Sequence, residues 1–205
     1  DLPLYAEASP NTFLKILEAD LEKNEPEVFG VLVPVDSSAF ARCDRSGLLW
    51  ALEGLAWNPK NLSKVVRILS QMSGKTIDDN YMNKPSASLS AIFRYWMPQT
   101  AANLDERKAL LSMLVTSFPE IAWNICVEQF SDRLGFGSYS HKPKWRNDGY
   151  GLGGPVSVQE RIDFSRFAFD LALAWNDFNV EKLCELIGVL PTIPLEDQSQ
   201  ILDKV

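Results

Sequence analysis

Apolar residues recur at helical spacing along nearly the whole chain, and prolines stand at the joints between the stripes. Phe13, Leu14, Leu17 and Leu21 follow Ser9-Pro10, and Leu48, Leu49, Leu52, Leu55 and Ala56 lead to Asn58-Pro59. Leu62, Val65, Val66, Ile68 and Leu69 come next. Proline is preset for the first helical turn, where its missing N–H costs nothing, and a preceding Ser or Asn can accept from the free amides there. Spacings of three and four put each stripe on one face, which must be buried against another element. These signals predict a helix over about 10–23, a second from Ser46 to Asn58, and a third from Pro59 that closes a tight hairpin with the second.

The same pattern continues downstream. Ser86 or Ser88 is expected to cap a helix carrying Leu89, Ile92, Phe93 and Trp96, stopped by Pro98. Asn103 and Glu106 have capping-box spacing, and the helix they open ends near Phe118. Pro119 begins another with Ile121, Ala122, Ile125 and Val127, and further helices are expected at Val158 to Trp175, about Val180 to Leu190, and beyond Pro191 and Pro194. Residues 24–45 mix Pro, Gly and a Val/Leu run, which leaves strand, helical turn and packed loop open. Residues 131–154, with Gly135, Gly137, Asp148-Gly149, Gly151, Gly153 and Gly154, read as a long irregular loop.

Two hairpins share one blueprint. Leu55-Ala56-Trp57-Asn58, then Asn61-Leu62, Lys64-Val65-Val66 and Ile68-Leu69, aligns without a gap on Leu173-Ala174-Trp175-Asn176, Asn179-Val180, Lys182-Leu183-Cys184 and Leu186-Ile187. A hairpin that cannot bury its apolar face alone stacks on a similar one, which is the logic of helical repeats. The expected fold is therefore all-α, a right-handed stack of helical hairpins of the α-solenoid or TPR-like kind. One continuous core is expected, with the 131–154 loop along an edge. Residues 1–205 read as a single helical-repeat domain, and a start at Asp1 rather than Met reads as a piece of a much larger multidomain protein.

Composition narrows the function. A net charge of −7 disfavours nucleic acid, whose phosphates are bound by lysine and arginine. No apolar stretch reaches the roughly 18 residues of a membrane span, and no charged leader with an apolar run opens the chain. Cys43, Cys126 and Cys184, an odd count without a C-x-x-C pair, suit a reducing cytoplasm. The single histidine, His141, leaves little for histidine-based metal or acid–base chemistry. No cofactor and no metal is expected.

Four constellations could carry chemistry. Ser73-Gly74-Lys75-Thr76 resembles the end of a phosphate-binding loop, but Leu69 stands where the first glycine belongs and the preceding residues are helical, so Gly74 reads as a helix end. The glycines at 149–154 lack dinucleotide-loop spacing. A hydrolase dyad of His141 with Asp148 or Cys126 is the rival enzymatic reading, without a third member to fix the tautomer. The basic-aromatic run Lys142-Pro143-Lys144-Trp145-Arg146 is either a clamp with Trp145 packed on the bundle or a partner contact, since Trp and Arg dominate binding hot spots. Lys142, Lys144, Trp145 and Arg146 are the candidate partner-contact residues, together with Arg94 and Gln99 in the aromatic segment 94–100, for which packing in the core is the favoured reading over contact. Trp50, Trp57, Trp123 and Trp175 lie on apolar stripes and are expected in the core.

Longer motifs carry a resemblance. Gly47-Leu48-Leu49-Trp50-Ala51-Leu52-Glu53-Gly54-Leu55-Ala56-Trp57, Asn83-Lys84-Pro85 with Ser88-Leu89 and Ile92-Phe93, and Trp96-Met97-Pro98-Gln99-Thr100 form its first part. Phe118-Pro119-Glu120-Ile121-Ala122-Trp123 and His141-Lys142-Pro143-Lys144-Trp145-Arg146 complete it. Together they resemble the helical-repeat region of large bacterial STAND-type P-loop ATPases, the class that includes antiviral defence sensors, over roughly residues 10–190. In such proteins an effector precedes the ATPase and the helical repeats recognise a target protein. The resemblance implies a non-catalytic recognition or scaffold arm whose partner is a protein or a neighbouring domain. Met97 stands where relatives have a histidine before Pro-Gln-Thr. A purely structural spacer is the third reading.

Overall fold

The computed structural model describes residues 1–34, 43–131, 139–146 and 155–204. Among them all regular structure is helical, and the helices pack into an all-α, solenoid-like fold. Helix α1 (Leu2–Ala8) precedes α2 (Pro10–Leu21), and a single short turn of helix, α3 (Val28–Val31), resolves part of the undecided 24–45 segment. The Asp20 carboxylate holds that turn by accepting from the Val28 amide at 2.8 Å. Helices α4 (Arg45–Ala56) and α5 (Pro59–Ser73) form the expected hairpin, hinged on Asn58, whose side chain accepts from the Lys60 amide.

Helix α6 (Pro85–Phe93) is shorter than its stripe implied and starts one residue before the serines expected to cap it. Pro85 sets its first turn, and Ser88 is turned inward, where its hydroxyl donates to Glu53 at 2.7 Å. Helix α7 (Leu104–Ser117) carries the full capping box, with Asn103 accepting from the Glu106 amide and Glu106 from the Asn103 amide. Helix α8 (Pro119–Phe130) follows after one residue, and α9 (Val158–Leu173), α10 (Val180–Val189), a 3₁₀ turn at Leu190–Thr192 and α11 (Leu195–Leu202) complete the chain. Gly74 ends α5 with an ordinary right-handed backbone, φ −68°, so the expected glycine-specific closure is not used there.

One apolar cluster runs from Ala6 on α1 to Ile201 on α11. Helix α4 is apolar almost all round and is flanked by α1, α5 and α6, as a central helix should be. Helix α5 packs on α2, α4, α6 and α7, while α9 lies on α7 and α8. The two repeat copies agree in sequence and diverge in packing: α4 packs along α5, whereas α9 and α10 make little contact, so the second copy is not the expected tight hairpin. Asp177 replaces Pro59, so α10 begins three residues later than α5 does and is capped by Asn179, which accepts from the Lys182 amide at 2.8 Å.

The 73–84 connection is fastened by Arg45, whose side chain is buried and donates to both Asp79 oxygens at 2.8 and 2.9 Å and to the Leu32 carbonyl. The hydrogen-bonded guanidinium holds the Asp79 carboxyl below its ordinary value of 3.8, against the opposing effect of burial. A depressed native pKa means the stabilisation is complete above 3.8 and is lost as pH falls through the lowered native value. Asp79→Asn is therefore expected to flatten the acid limb of the stability–pH curve below about pH 4, measured by urea denaturation across pH, and to lower stability at neutral pH.

Candidate functional site

The described part of the irregular loop, residues 139–146, is a clamp fastened by acceptors buried beneath it. Glu53 on α4 supplies the first fastening. One of its oxygens accepts from the Ser88 hydroxyl on α6, and the other accepts from the His141 amide at 3.3 Å and lies 4.0 Å from His141 Nδ1. The buried Trp57 indole donates to the His141 carbonyl at 3.0 Å. Gln99 accepts from the Ser140 amide at 2.7 Å, while its own amide group donates to the Met97 carbonyl. Thr100 donates to the Ala56 carbonyl and the Ala101 amide to the Trp57 carbonyl, which ties this layer to the end of α4.

Glu7 on α1 supplies the strongest fastening. Its buried carboxylate accepts from three successive backbone amides, Lys144 at 2.9 Å, Trp145 at 2.7 Å and Arg146 at 3.2 Å. Consecutive amides converging on one anion form a concave anion-binding nest, filled here by the chain's own carboxylate. Arg146 also donates to the Glu7 carbonyl at 3.3 Å, and Pro143 is buried.

With its backbone committed inward, the loop turns its large side chains outward. Trp145 is 58% exposed and Tyr139 57%. Trp50 is 41% exposed, which corrects its expected place in the core: its ring lies against His141, with centroids 4.5 Å apart and planes 15° from parallel. Trp57 and Trp123 are buried as expected, and Trp175 is half-buried. The Lys142 ammonium sits 4.3 Å from the centre of the Trp57 ring and 4.6 Å from that of Tyr139, a cation–π arrangement that holds the charge at the surface. A cavity of about 230 Å³ opens between Trp50, His141, Lys142, Lys144 and Trp145.

Four of the six candidate contact residues, Lys142, Lys144, Trp145 and Arg146, are thus brought together on this face. The other two are not. Gln99 is completely buried and faces Ser140 from below, so it positions the loop and has no surface to offer a partner. Arg94 is half-buried beside α8, its guanidinium 5.3 Å above Trp96. Burial lowers its pKa and the Glu128 charge opposes that shift. The sequence reading missed Trp50, Tyr139 and the buried carboxylates. Glu53 left a signal, a charged residue inside an apolar stripe; Glu7, in a seven-residue helix that went unrecognised, left none.

The hydrolase reading meets a different geometry. The His141 ring is placed by Trp50 and Glu53, and the Ser88 proton goes to Glu53 rather than to an imidazole. Burial pushes the Cys126 thiol up to about 12, far from the thiolate a nucleophile needs. Asp148 and the glycines at 149–154 lie outside the described residues. Among the described residues no cluster of His, Cys, Asp and Glu could hold a metal ion, and no helix is long and apolar enough to cross a membrane. A separate cleft of about 1020 Å³ lies between residues 79–84, α6, α8 and α10, lined by Asn80, Ser90, Asn124, Glu128 and Glu185, and none of the candidate residues reaches it. No family model, curated protein or solved structure matches the chain.

Proposed function

We propose that this chain is a non-catalytic protein-recognition module, the interaction arm of a bacterial STAND-type ATPase, and that it reads its partner through the face built on residues 139–146. The observation that carries this reading is the pairing of exposed Trp50, Tyr139 and Trp145 with Lys142, Lys144 and Arg146 on a backbone already hydrogen-bonded from behind. Exposed aromatics and cations are the side chains that dominate binding energy at protein interfaces. A surface held rigid before contact loses little entropy on association. The complementary partner offers an acidic patch with one apolar side chain sized for the 230 Å³ cavity. The motif resemblance over residues 10–190 supports the placement within a defence-type ATPase.

Partner recovery by the wild-type chain, compared with Trp145→Ala and Arg146→Ala variants of unchanged melting temperature, tests this reading. Trp145→Ala is expected to weaken binding at least about tenfold, and Arg146→Ala to reduce its salt dependence. Unchanged recovery by both variants would sink the assignment.

A further inference from the structure

The cleft between residues 79–84, α6, α8 and α10 combines size, unspent hydrogen-bonding groups and one unbalanced charge. Its volume, about 1020 Å³, is at the top of the roughly 300–1,000 Å³ range of small-ligand pockets. The α10 wall is tied to α8 by two side-chain links: the Trp123 indole donates to Glu185, and the Lys182 ammonium donates to both Glu120 oxygens at 2.8 and 2.9 Å. Leu89, Ile125 and Val189, all buried, give the cleft an apolar floor. Asn80, Ser86, Ser90 and Asn124 also line it, and their side chains make no hydrogen bond among the described residues. Met82, 90% exposed, and Tyr81 add apolar surface at the opening. Most of the charges around the cleft are balanced. Asp79 is held by Arg45 and feels Lys84, whose ammonium donates to the Ile77 carbonyl at 3.0 Å. Glu128 is opposed by the Arg94 guanidinium. Glu185 pairs with no cation among the described residues. One of its oxygens accepts from the neutral Trp123 indole, which orients the carboxylate and leaves the other oxygen for a ligand.

We propose that this cleft binds an extended segment of another protein, anchored by one lysine whose ammonium meets Glu185. An extended segment is the occupant because its backbone N–H and C=O groups are unpaired, whereas those of a helix are bonded internally. Asn80 and Asn124 each donate and accept, which matches the alternating groups of such a backbone. The anchor is lysine because an arginine fork takes both oxygens of a carboxylate and Trp123 already holds one of them, while an ammonium is a point charge that a single oxygen satisfies. The methylene stem of the lysine lies along apolar surface, for which the adaptable Met82 side chain is suited. No residue of the 139–146 face lines the cleft, so this site stands or falls independently of that one.

The probes are pools of octapeptides, N-acetylated and labelled at the C-terminus with an uncharged fluorophore. Each pool fixes lysine, arginine, norleucine or glutamate at the fourth position and randomises the others. Fluorescence anisotropy with the intact chain is expected to show the lysine pool binding at least about tenfold more tightly than the norleucine and glutamate pools, with arginine between them. Glu185→Gln keeps an acceptor for the Trp123 indole and is expected to bring the lysine pool down to the norleucine level. Gly188 on α10 lines the cleft, and a Cβ built there meets nothing within 4 Å. Gly188→Leu therefore fills the cleft without strain; its melting temperature should be unchanged or higher, since glycine is disfavoured inside a helix, and binding of every pool should weaken at least about tenfold. Binding by no pool, equal binding of the lysine and norleucine pools, a lysine preference that survives Glu185→Gln, or binding untouched by Gly188→Leu would each overturn the proposal. Spermidine is the last arm: Glu185-dependent spermidine binding with no pool bound would overturn it by showing that a small polyamine is the occupant.

Discussion

Glu7→Ala is expected to release the 143–146 segment from α1 and to destabilise the chain by about 2–4 kcal/mol. Three backbone amides lose one charged acceptor, and hydrogen bonds to a charged group each contribute about 1.5–3 kcal/mol. The total falls short of three times that figure because Lys144, Trp145 and Arg146 are exposed residues whose amides can turn to water once the clamp opens. In a chain of this size the loss corresponds to a melting temperature lower by about 5–15 °C. Amide hydrogen exchange locates the effect. Protection should vanish at residues 144–146 and persist in α5, and Glu7→Gln, which keeps one acceptor oxygen, should fall between wild type and Ala. A Glu7→Ala variant with wild-type protection at those amides would show that Pro143 packing and the Trp57 and Gln99 contacts suffice to hold the loop.

Glu160→Ala is expected to cost about 3–5 kcal/mol, whereas Arg107→Met at the other end of the same ion pair should be close to neutral or stabilising. Arg107 on α7 is fully buried, its guanidinium 4.8 Å from the centre of the Phe164 ring, and burial lowers its pKa while Glu160 opposes the shift. One nitrogen pairs with Glu160, and its Nε and second terminal nitrogen have no hydrogen-bond partner among the described residues. Removing Glu160 leaves a buried charge without its counter-ion; removing Arg107 leaves a partly exposed carboxylate that water can solvate, and Met fills the slot with apolar volume. In the double variant, loss of Glu160 should cost little once Met stands at 107. Equal destabilisation by both single substitutions, measured by urea denaturation, would contradict this asymmetry.

Much of the fold was legible because helix joints are local. Ser9-Pro10, Asn58-Pro59, Phe118-Pro119 and the Asn103/Glu106 box each satisfy or dispense with backbone amides within one turn, so their meaning is contained in a few residues. Helix α1 escaped notice because seven residues are too few for a stripe, and the 24–45 segment because its single turn depends on Asp20, seven and eight residues back. The candidate site was legible in part. Lys142, Lys144, Trp145 and Arg146 stood out as a basic-aromatic cluster, but Gln99 and Arg94 were assigned by proximity to aromatic residues, a signal that does not separate a buried clamp from an exposed contact.

The sequence by itself determined the helical class, the joints and the α4–α5 hairpin, since all of these follow from spacing and capping within one or two turns. Tertiary structure alone decided which faces are covered. Trp50 lies on α4 and Trp57 caps its end, and both touch residues 139–146, yet Trp50 is exposed and Trp57 buried. Leu62 and Val180 align in sequence with opposite exposure, because α2, α4, α6 and α7 pack on α5 whereas α10 packs on the 3₁₀ turn and α11. Glu7 meets amides 137 to 139 residues away. Burial is a property of what packs against a residue, and in this chain the decisive neighbours are far away in sequence.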